Sequence, residues 1–426
     1  MREDWIETEL VNVLDLLKNG SSKKQQKEKT GYPVSRIETI SNETIDFDRV
    51  KYLINPEESE IEKHQILNGD ILLSHINSDL HLGKTAIFRN NNRLLIHGIN
   101  LLLLRPKHIQ PRFLNYQFKF LRSKGEFIKV AQRAVNQSSI NQRKLKQFKI
   151  LFPPLPEQRA IVAKIERLFS ELDHGVAQLN KVQAQLKVYK QAVLKKAFEG
   201  ELTKPKITLF KKKLSEIIKL SKEKHKPVKT QNIFYVGLKH IKSDLGELTD
   251  DVKVDKINTV KNKFVKGQLL YGKLRPYLNK VWLSNCRGVC STDILVFDVN
   301  ENINPSLIKY FMLSKQFVSD MTANSSGVNL PRVSTKYVLK YTINVPNKIE
   351  EQTQIVQEVE SRFSVVEQLE KELTANLQKS ASLRQSILKQ AFEGRLLSEA
   401  EIKACKKEKD WEPASELLGR IGKETN

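Results

Sequence analysis

Cysteine is scarce in this sequence: Cys286, Cys290 and Cys405 are the only three among 426 residues. So few thiols point to a reducing compartment, the cytoplasm. Cys286 and Cys290 lack a second Cys/His pair nearby that would complete a zinc site, which leaves them as ordinary buried thiols. Long apolar runs are missing as well. The stretch "INLLLLRP" falls far short of the roughly 18 residues a membrane span needs. No charged-then-apolar leader opens the chain; its start, "MREDWIETEL", is acidic and reads as the opening of a polar helix. Acidic residues are in deficit overall, with 72 Lys and Arg against 49 Asp and Glu, a formal net charge of +23 and a pI near 9.7. That excess points to a polyanionic partner, nucleic acid first and an anionic membrane surface second. What is present in ordinary amounts, 39% hydrophobic and 28% charged residues, fits a soluble folded chain of two to four units.

The chain repeats itself. "LKKAFEGELT" (Leu194–Thr203) returns as "LKQAFEGRLL" (Leu388–Leu397), 194 positions on. At that offset Glu157–Thr203 aligns with Glu351–Leu397 without a gap, and 16 of the 47 positions are identical. The first copy follows Pro153, Pro154 and Pro156 of "PPLPEQ", residues tolerated where a helix begins. Ile165, Leu172, Leu179, Leu186 and Val193 then fall seven apart, with Ile161, Leu168, Val182 and Tyr189 between them. This narrow apolar seam is the pattern of a coiled coil, and Gly200 is a natural stop. The second copy carries Ile355, Val359, Val366, Leu369, Leu373, Leu383 and Ile387 and stops at Gly394. Gly175 interrupts the first seam; Arg362, Asn376 and Ser380 interrupt the second. The spacing predicts two helices of about 43 residues, roughly 65 Å long. Neither can bury its stripe alone. They are expected to pack on each other antiparallel, because a whole domain separates them in sequence; the alternative is that each lies on its own globular neighbour or pairs with another chain.

The segments outside the helices, Met1–Phe152 and Pro205–Val345, echo each other more faintly. "NGDILLSHINSDLHLGKTAIF" (Asn68–Phe88) parallels "KGQLLYGKLRPYLNKVWL" (Lys266–Leu283): a glycine turn, a short apolar strand, a polar basic loop and another apolar strand. "INLLLLRPK" parallels "TDILVFDVN", and "PRFLNYQF" parallels "PSLIKYFM" with Pro111/Pro305 and Tyr116/Tyr310 in register. "SSINQRKLKQFKILFPP" parallels "PRVSTKYVLKYTINVP". The expected class is therefore α+β: two globular mixed α/β domains separated by two long helices packed as an antiparallel coiled coil, with pseudo-twofold symmetry. The boundaries read as 1–153 and 204–347 for the domains, 154–203 and 348–397 for the helical regions, and 398–426 for a tail whose order is left open. A pseudo-twofold binder facing an extended duplex would read two separated half-sites, with the helices as the spacer.

No catalytic constellation is legible. "LGKT" (Leu82–Thr85) resembles the end of a phosphate loop, but Ser78 stands where its glycine should be and a strand is written where a helix should follow. "FPPLP" and "NVPN" lack the polar residue before the proline that an amino-group methyltransferase places against a flipped base. The eight histidines are scattered; His75 and His81 flank a loop without ligand partners, so exposed or DNA-facing roles outrank metal binding. Glu60 and Glu62 before Lys63 form an acid–lysine cluster of the kind found on any charged surface.

Basic and aromatic side chains on loops remain. "YGKLRPYLNK" offers Lys273, Arg275, Tyr277 and Lys280 beside Tyr271, suited to phosphates and, through arginine, to guanine. The matching loop of the first domain offers Ser74, His75, Asn77, His81 and Lys84, a more neutral set, which implies two different half-sites. Ser139, Arg143 and Arg332, on the segments leading out of each domain, complete the candidate DNA-binding set. Ten lysines against two glutamates between Lys204 and Lys229 suit either phosphate contact or a flexible linker.

On these residues the chain resembles the specificity (S) subunits of type I restriction–modification systems. "PPLPEQRAIVAKIERLFSELD" and "VLKKAFEGELT", with the second copies "EEQTQIVQEVESRFSVVE" and "ILKQAFEGRLL", carry the likeness. "GYPVSRIETI", "GDILLSHI", "YVGLKHI", "YGKLRPYLNKV" and "STDILVF" look like phrases of its target recognition domains. The resemblance covers about residues 1–400; "NVPNKIEEQ" departs from "PPLPEQ" at the second helix start. It implies a non-catalytic subunit whose two domains each read one part of a split, asymmetric sequence in double-stranded DNA. It implies two methylation subunits and two restriction subunits as partners, with S-adenosylmethionine, ATP and Mg2+ on those partners and no cofactor or metal on this chain. Docking of the methylation subunits is expected at Glu157, Gln158, Arg159, Phe198, Glu199 and Gly200, and at Glu351, Gln352, Phe392, Glu393 and Gly394. The competing readings are a stand-alone DNA-modifying enzyme and a coiled-coil scaffold for nucleic acid or membranes; neither explains both the duplication and the domain phrases.

Overall fold

The computed structural model describes residues 2–424 apart from 90–92, 134–136, 204, 227–231, 253, 257 and 258. It divides into two compact units, Met1–Ala177 with Asn376–Asn426, and Gln178–Ala375. Both divisions fall inside the long helices, Leu155–Phe198 and Ile349–Phe392. Each unit therefore owns half of each helix.

In the first unit four antiparallel strands lie in the order Leu14–Asn19, Leu102–Pro106, Ile71–Leu73, Thr85–Ile87. Both faces of this sheet are covered, which is why its strands read as unbroken apolar runs. Ile71, Leu73, Leu102 and Leu104 face one core, shared with Phe113 and Phe118 of the helix Pro111–Ser123 and with Ile161, Ile165, Leu388 and Phe392 of the long helices. Leu72, Leu101 and Leu103 face a second core with Ile40, Ile66 and Phe88. Strand Ile6–Glu9 pairs antiparallel with Lys149–Phe152, the last strand before the first long helix. The chain start is thus a strand and a short 3-10 turn, Leu10–Val13, not the expected polar helix. Trp5, Leu10 and Val13 are buried there, and tertiary pairing overrides the local helix preference of the glutamates.

The second unit is built by the same plan. Its sheet runs Ile218–Leu220, Ile294–Val299, Leu269–Gly272, Val281–Leu283. Leu269, Tyr271, Leu295 and Phe297 share a core with Leu307, Ile308 and Phe311 of the helix Pro305–Met312 and with Val193, Ala197, Ile355 and Val359. Leu270, Ile294 and Val296 face the other core with Val236, Phe264 and Trp282. Phe210–Lys213 pairs with Thr342–Val345, the last strand before the second long helix. The lysine-rich stretch is therefore not a linker where it is described: residues 210–220 form two strands and a helical turn, and residues 204 and 227–229 lie outside the described residues. Cys290 and Cys405 are buried and Cys286 is half-buried, all with free thiols.

Within each unit the two half-helices run antiparallel. In the first, Arg384 pairs with Asp173 and its guanidinium lies 4.7 Å from the Phe169 ring. In the second, Lys190 meets Glu370 at 2.9 Å. The seams are buried where a unit's sheet and short helix cover them, at Ile161, Ile165, Val193, Ile355 and Val359, and between the helices themselves at Val366 and Leu373. Val182, Tyr189, Leu369 and Leu383 remain partly exposed, as a stripe facing a single partner helix must.

The repeated residues sit at the helix ends. Gln158 is completely buried: its Nε2 donates to the Pro153 carbonyl at 2.7 Å and its Oε1 accepts from the Gln110 N–H at 2.8 Å. Gln352 does the same, donating to the carbonyls of Pro346 (3.0 Å) and Asn302 (3.2 Å) and accepting from the Asn304 N–H (2.8 Å). Gln110 and Asn304 are themselves the N-caps of the short helices. At the other ends Gly200 (φ +72°) and Gly394 (φ +73°) take the left-handed conformation. The following N–H groups, of Glu201 and Arg395, reach back five residues to Lys196 and Gln390, the Schellman arrangement.

The tail is folded. Helices Glu399–Cys405 and Ala414–Glu424 bring Ala414, Leu417 and Ile421 into the first unit's core. Lys164 meets Glu401 at 2.6 Å, and Arg159 pairs with Asp410 at 2.8 Å and with Glu408.

Replacing Gln352 with Ala strands a buried N–H and buried carbonyls, each worth about 1–3 kcal/mol when unpaired. Urea denaturation should show the second unit's transition shifted by about 2–4 kcal/mol, with Gln158→Ala doing the same to the first. A midpoint unmoved by both would show that water replaces the carboxamide at no cost.

Candidate nucleic-acid interface

In each unit the polar loop that the sequence singled out joins a central strand of the sheet to the edge strand beside it, and a short hairpin packs against it. In the first unit the loop carries strand Ile76–Asn77, which pairs with Ser138–Ser139, which pairs in turn with Gln132–Arg133. In the second, Ser325–Ser326 pairs with Arg332–Val333, and Leu274 of the loop bridges to Arg332.

The first loop turns most of its predicted contacts inward. Ser74 and His75 are buried. Asn77 donates to Ser74 Oγ at 3.1 Å and accepts from the Ser78 N–H. Lys84 Nζ donates to the Ser41 carbonyl at 2.6 Å. Arg122 clasps the loop from the short helix, donating to the carbonyls of Leu80 and Leu82 and pairing with Glu43 at 2.7 Å. Expecting His75 on the surface was therefore wrong: burial pushes its pKa down to about 4, so it is a neutral core residue. His81 and Ser139 are half-buried and Arg143, on the helix Gln142–Lys146, is exposed. Sequence reading passed over Leu80, which is 73% exposed on this loop.

The second loop points outward. Arg275 and Asn279 both adopt left-handed backbone (φ +51° and +47°), a strain that a rigid surrounding must hold. The Arg275 N–H donates to the Pro331 carbonyl at 2.7 Å, and Asn279 donates to Asp244 at 2.8 Å and to the Leu313 carbonyl. Arg275 and Tyr277 are exposed and Lys273 is half-buried. Lys280 is tied back to the Ile241 carbonyl, and burial lowers its pKa. Arg332 is exposed but forks onto Asp293, at 3.0 and 3.4 Å. Arg275, Tyr277 and Lys273 are thus the predicted residues that this loop presents together.

Most residues expected to dock partners face the interior. Glu157 is fully buried, accepting from Trp5 Nε1 at 2.8 Å and pairing with Arg2 at 3.2 Å. Gln158 and Gln352 are the buried clamps described above. Phe392 packs between Phe113 and Phe120, and Phe198 lies edge-on to Phe311. Gly200 is buried, and Gly394 is a helix stop where a side-chain carbon would lie 3.0 Å from the Arg2 side chain. Glu351 is half-buried; Arg159, Glu199 and Glu393 are exposed.

Among the described residues no group of His, Cys, Asp or Glu is placed to hold a metal, and no helix is long and apolar enough to cross a membrane. What the fold defines is a duplicated scaffold: one α+β unit made twice, each with its own polar loop and its own pair of half-helices. The family model of the type I restriction modification DNA specificity domain matches the chain twice, at residues 2–184 and 208–379. The chain belongs to that family. It is 43% identical over 198 residues to a Methanocaldococcus jannaschii chain described as the type I restriction enzyme MjaX specificity subunit, covering 46% of each. The match therefore spans about half the length of that relative. It is 25% identical over 324 residues to the EcoDI specificity subunit of Escherichia coli, covering 68% of this chain and 72% of the other. In fold it is similar to a chain from a structural study of complex assembly and conformational transition of the type I R-M system, with a TM-score of 0.70, 16% identity and coverage of 93% and 99%. It is also similar to the HsdS subunit of Thermoanaerobacter tengcongensis, with a TM-score of 0.54, 16% identity and coverage of 93% and 98%.

The interior behind the first loop sets an acid limit. His75 and His97 are buried with Nδ1 unpaired among the described residues, and burial lowers their pKa values to about 4 and about 3. Unfolded, both titrate near 6.5. Their contribution is complete above pH 6.5 and is lost as pH falls from there toward 4 and 3, because the unfolded chain takes up the protons first. The first unit's urea midpoint should fall steadily between pH 6.5 and 4, and a midpoint flat over that window would contradict the burial.

Proposed function

We propose that each unit reads one half of a bipartite, asymmetric sequence in duplex DNA, and that the long helices space the two readings. Two methylation subunits dock on the helices and two restriction subunits complete the assembly. S-adenosylmethionine, ATP and Mg2+ act on those partners, which methylate adenine and cut DNA, while this chain selects the sequence and works in the cytoplasm. Glu199 and Glu393 are the exposed repeat residues available for docking, since Arg159 is held by Asp410 and Glu408. The observation that carries this reading is the pair of loops at the same position in both units with unlike side chains: half-buried His81 and exposed Leu80 in one, Lys273, Arg275 and Tyr277 in the other. Cations on such loops neutralise phosphates, and arginine pairs with guanine in the major groove. Methylation of adenine requires its extrusion from the duplex, so the loops must grip the flanking bases without closing over the target.

The test is a map of N6-methyladenine in the source genome with and without this chain. Two half-sites separated by a fixed spacer should be methylated only when it is present. Arg275→Ala should change the sequence recognised in one half alone and weaken binding at least about tenfold, the loss of one bidentate base contact, while Arg143→Ala should act on the other half. Unchanged methylation, or a single contiguous motif, would refute the proposal.

A further inference from the structure

The second unit holds an exposed apolar residue that the fold does not use. Val328 is 99% exposed at the tip of the hairpin formed by Ser325–Ser326 and Arg332–Val333, with Leu330 beside it 46% exposed. The tip is not loose. Gly327 turns it at φ +105°, and a side chain there would press on the Leu330 carbonyl at 3.1 Å. The reading loop then straps it on two sides. Arg275 donates its N–H to the Pro331 carbonyl (2.7 Å) and its guanidinium to the Asn329 carbonyl (3.4 Å), while the Val333 N–H donates to the Lys273 carbonyl (3.1 Å). A branched aliphatic group is thus held out in water by a rigid support.

Its surroundings are cationic. The segments 271–280 and 325–340 contain Lys273, Arg275, Lys280, Arg332, Lys336 and Lys340 and no acidic residue; Asp293 reaches in only to pair with Arg332. A polyanion therefore suits this face. A duplex offers one apolar group among its base edges, the C5-methyl of thymine in the major groove, which is wide enough for a two-stranded ribbon. Side chains that wedge between base steps in the minor groove are longer or bulkier, such as Phe, Leu and Met.

We infer that the tip Gly327–Pro331 is a base-reading element of the second unit, in which Val328 packs on a thymine methyl beside the base that Arg275 reads. This rests on the DNA-recognition reading above and adds a named base to it.

The full-length chain, with any subunits that co-purify, is first used to select its target from a pool of random duplexes. Recovery of a bipartite sequence supports the recognition reading independently of the hairpin; recovery of no sequence overturns both. Each thymine of the selected duplex is then replaced singly by deoxyuridine, which removes only the methyl. One replacement should weaken binding about fourfold, the value of one buried methyl contact. Val328→Ala should weaken binding to the intact duplex by the same factor, and the two changes together should cost no more than either alone. Because Val328 touches only solvent, the variant should melt as the parent does. A bipartite target bound equally by parent and Val328→Ala overturns the inference. So does a loss with Val328→Ala that no thymine replacement reproduces, the sign of a wedge or backbone contact. Both outcomes leave the recognition reading standing.

Discussion

Each unit hangs on one buried glutamine. Gln158 and Gln352 place a carboxamide with no exposure at the start of a long helix, and both ends of that group are satisfied by backbone from two other segments. Apolar packing along a seam tolerates rotation and sliding, since hydrophobic burial is non-directional. A buried amide does not, because an unpaired polar group in the interior costs more than a displaced methyl. The clamp therefore fixes the rotational setting of each helix against the N-cap of the short helix that covers the sheet. The reading loop springs from the far end of that sheet, so its position within a unit follows from the clamp.

This explains which repeated residues are shared by the two copies and what they are for. Identity between copies marks what both units must build: the clamp glutamine, the apolar positions under the sheet, the phenylalanine wedged among aromatic rings, and the glycine that alone takes left-handed backbone at little cost. Reading those residues as docking points mistakes a shared frame for a shared partner. The interchangeable part of the design lies in the loops, where the two copies have diverged.

The long helices were legible because a seven-residue spacing, bounded by proline and glycine, has no strong competing interpretation. The sheet strands were legible because both faces are buried and their runs are unbroken. The first strand and Phe210–Lys213 were not, because each is specified by its partner strand before a long helix, and local composition says nothing about a partner over a hundred residues away. Direction was the other hidden quantity. In an irregular loop a polar residue has no periodicity to show which way it points, so Ser74, His75 and Lys84 read as surface contacts although they serve the interior. Val328 failed in the opposite sense, since an isolated valine in a loop carries no sign of exposure.

The same reasoning changes how the net charge of +23 should be understood. In the first unit many arginines are held by acids: Arg105 by Asp70, Arg112 by Glu166, Arg122 by Glu43, Arg159 by Asp410. Such pairs organise the surface and leave little field for a distant phosphate. In the second unit Asp293 holds Arg332, but Lys273 and Arg275 of the loop have no ion pair among the described residues, and a cation without a nearby counterion is the one that gains by displacing ions from DNA. Total charge thus points to a polyanion, while cations left without an acid partner point to where it would lie. By that criterion the contact proposed for the second unit would work through charge, and that of the first, with its half-buried His81 and exposed Leu80, more through shape and hydrogen bonding. Two readers with unlike grips on a common frame are what an asymmetric target requires.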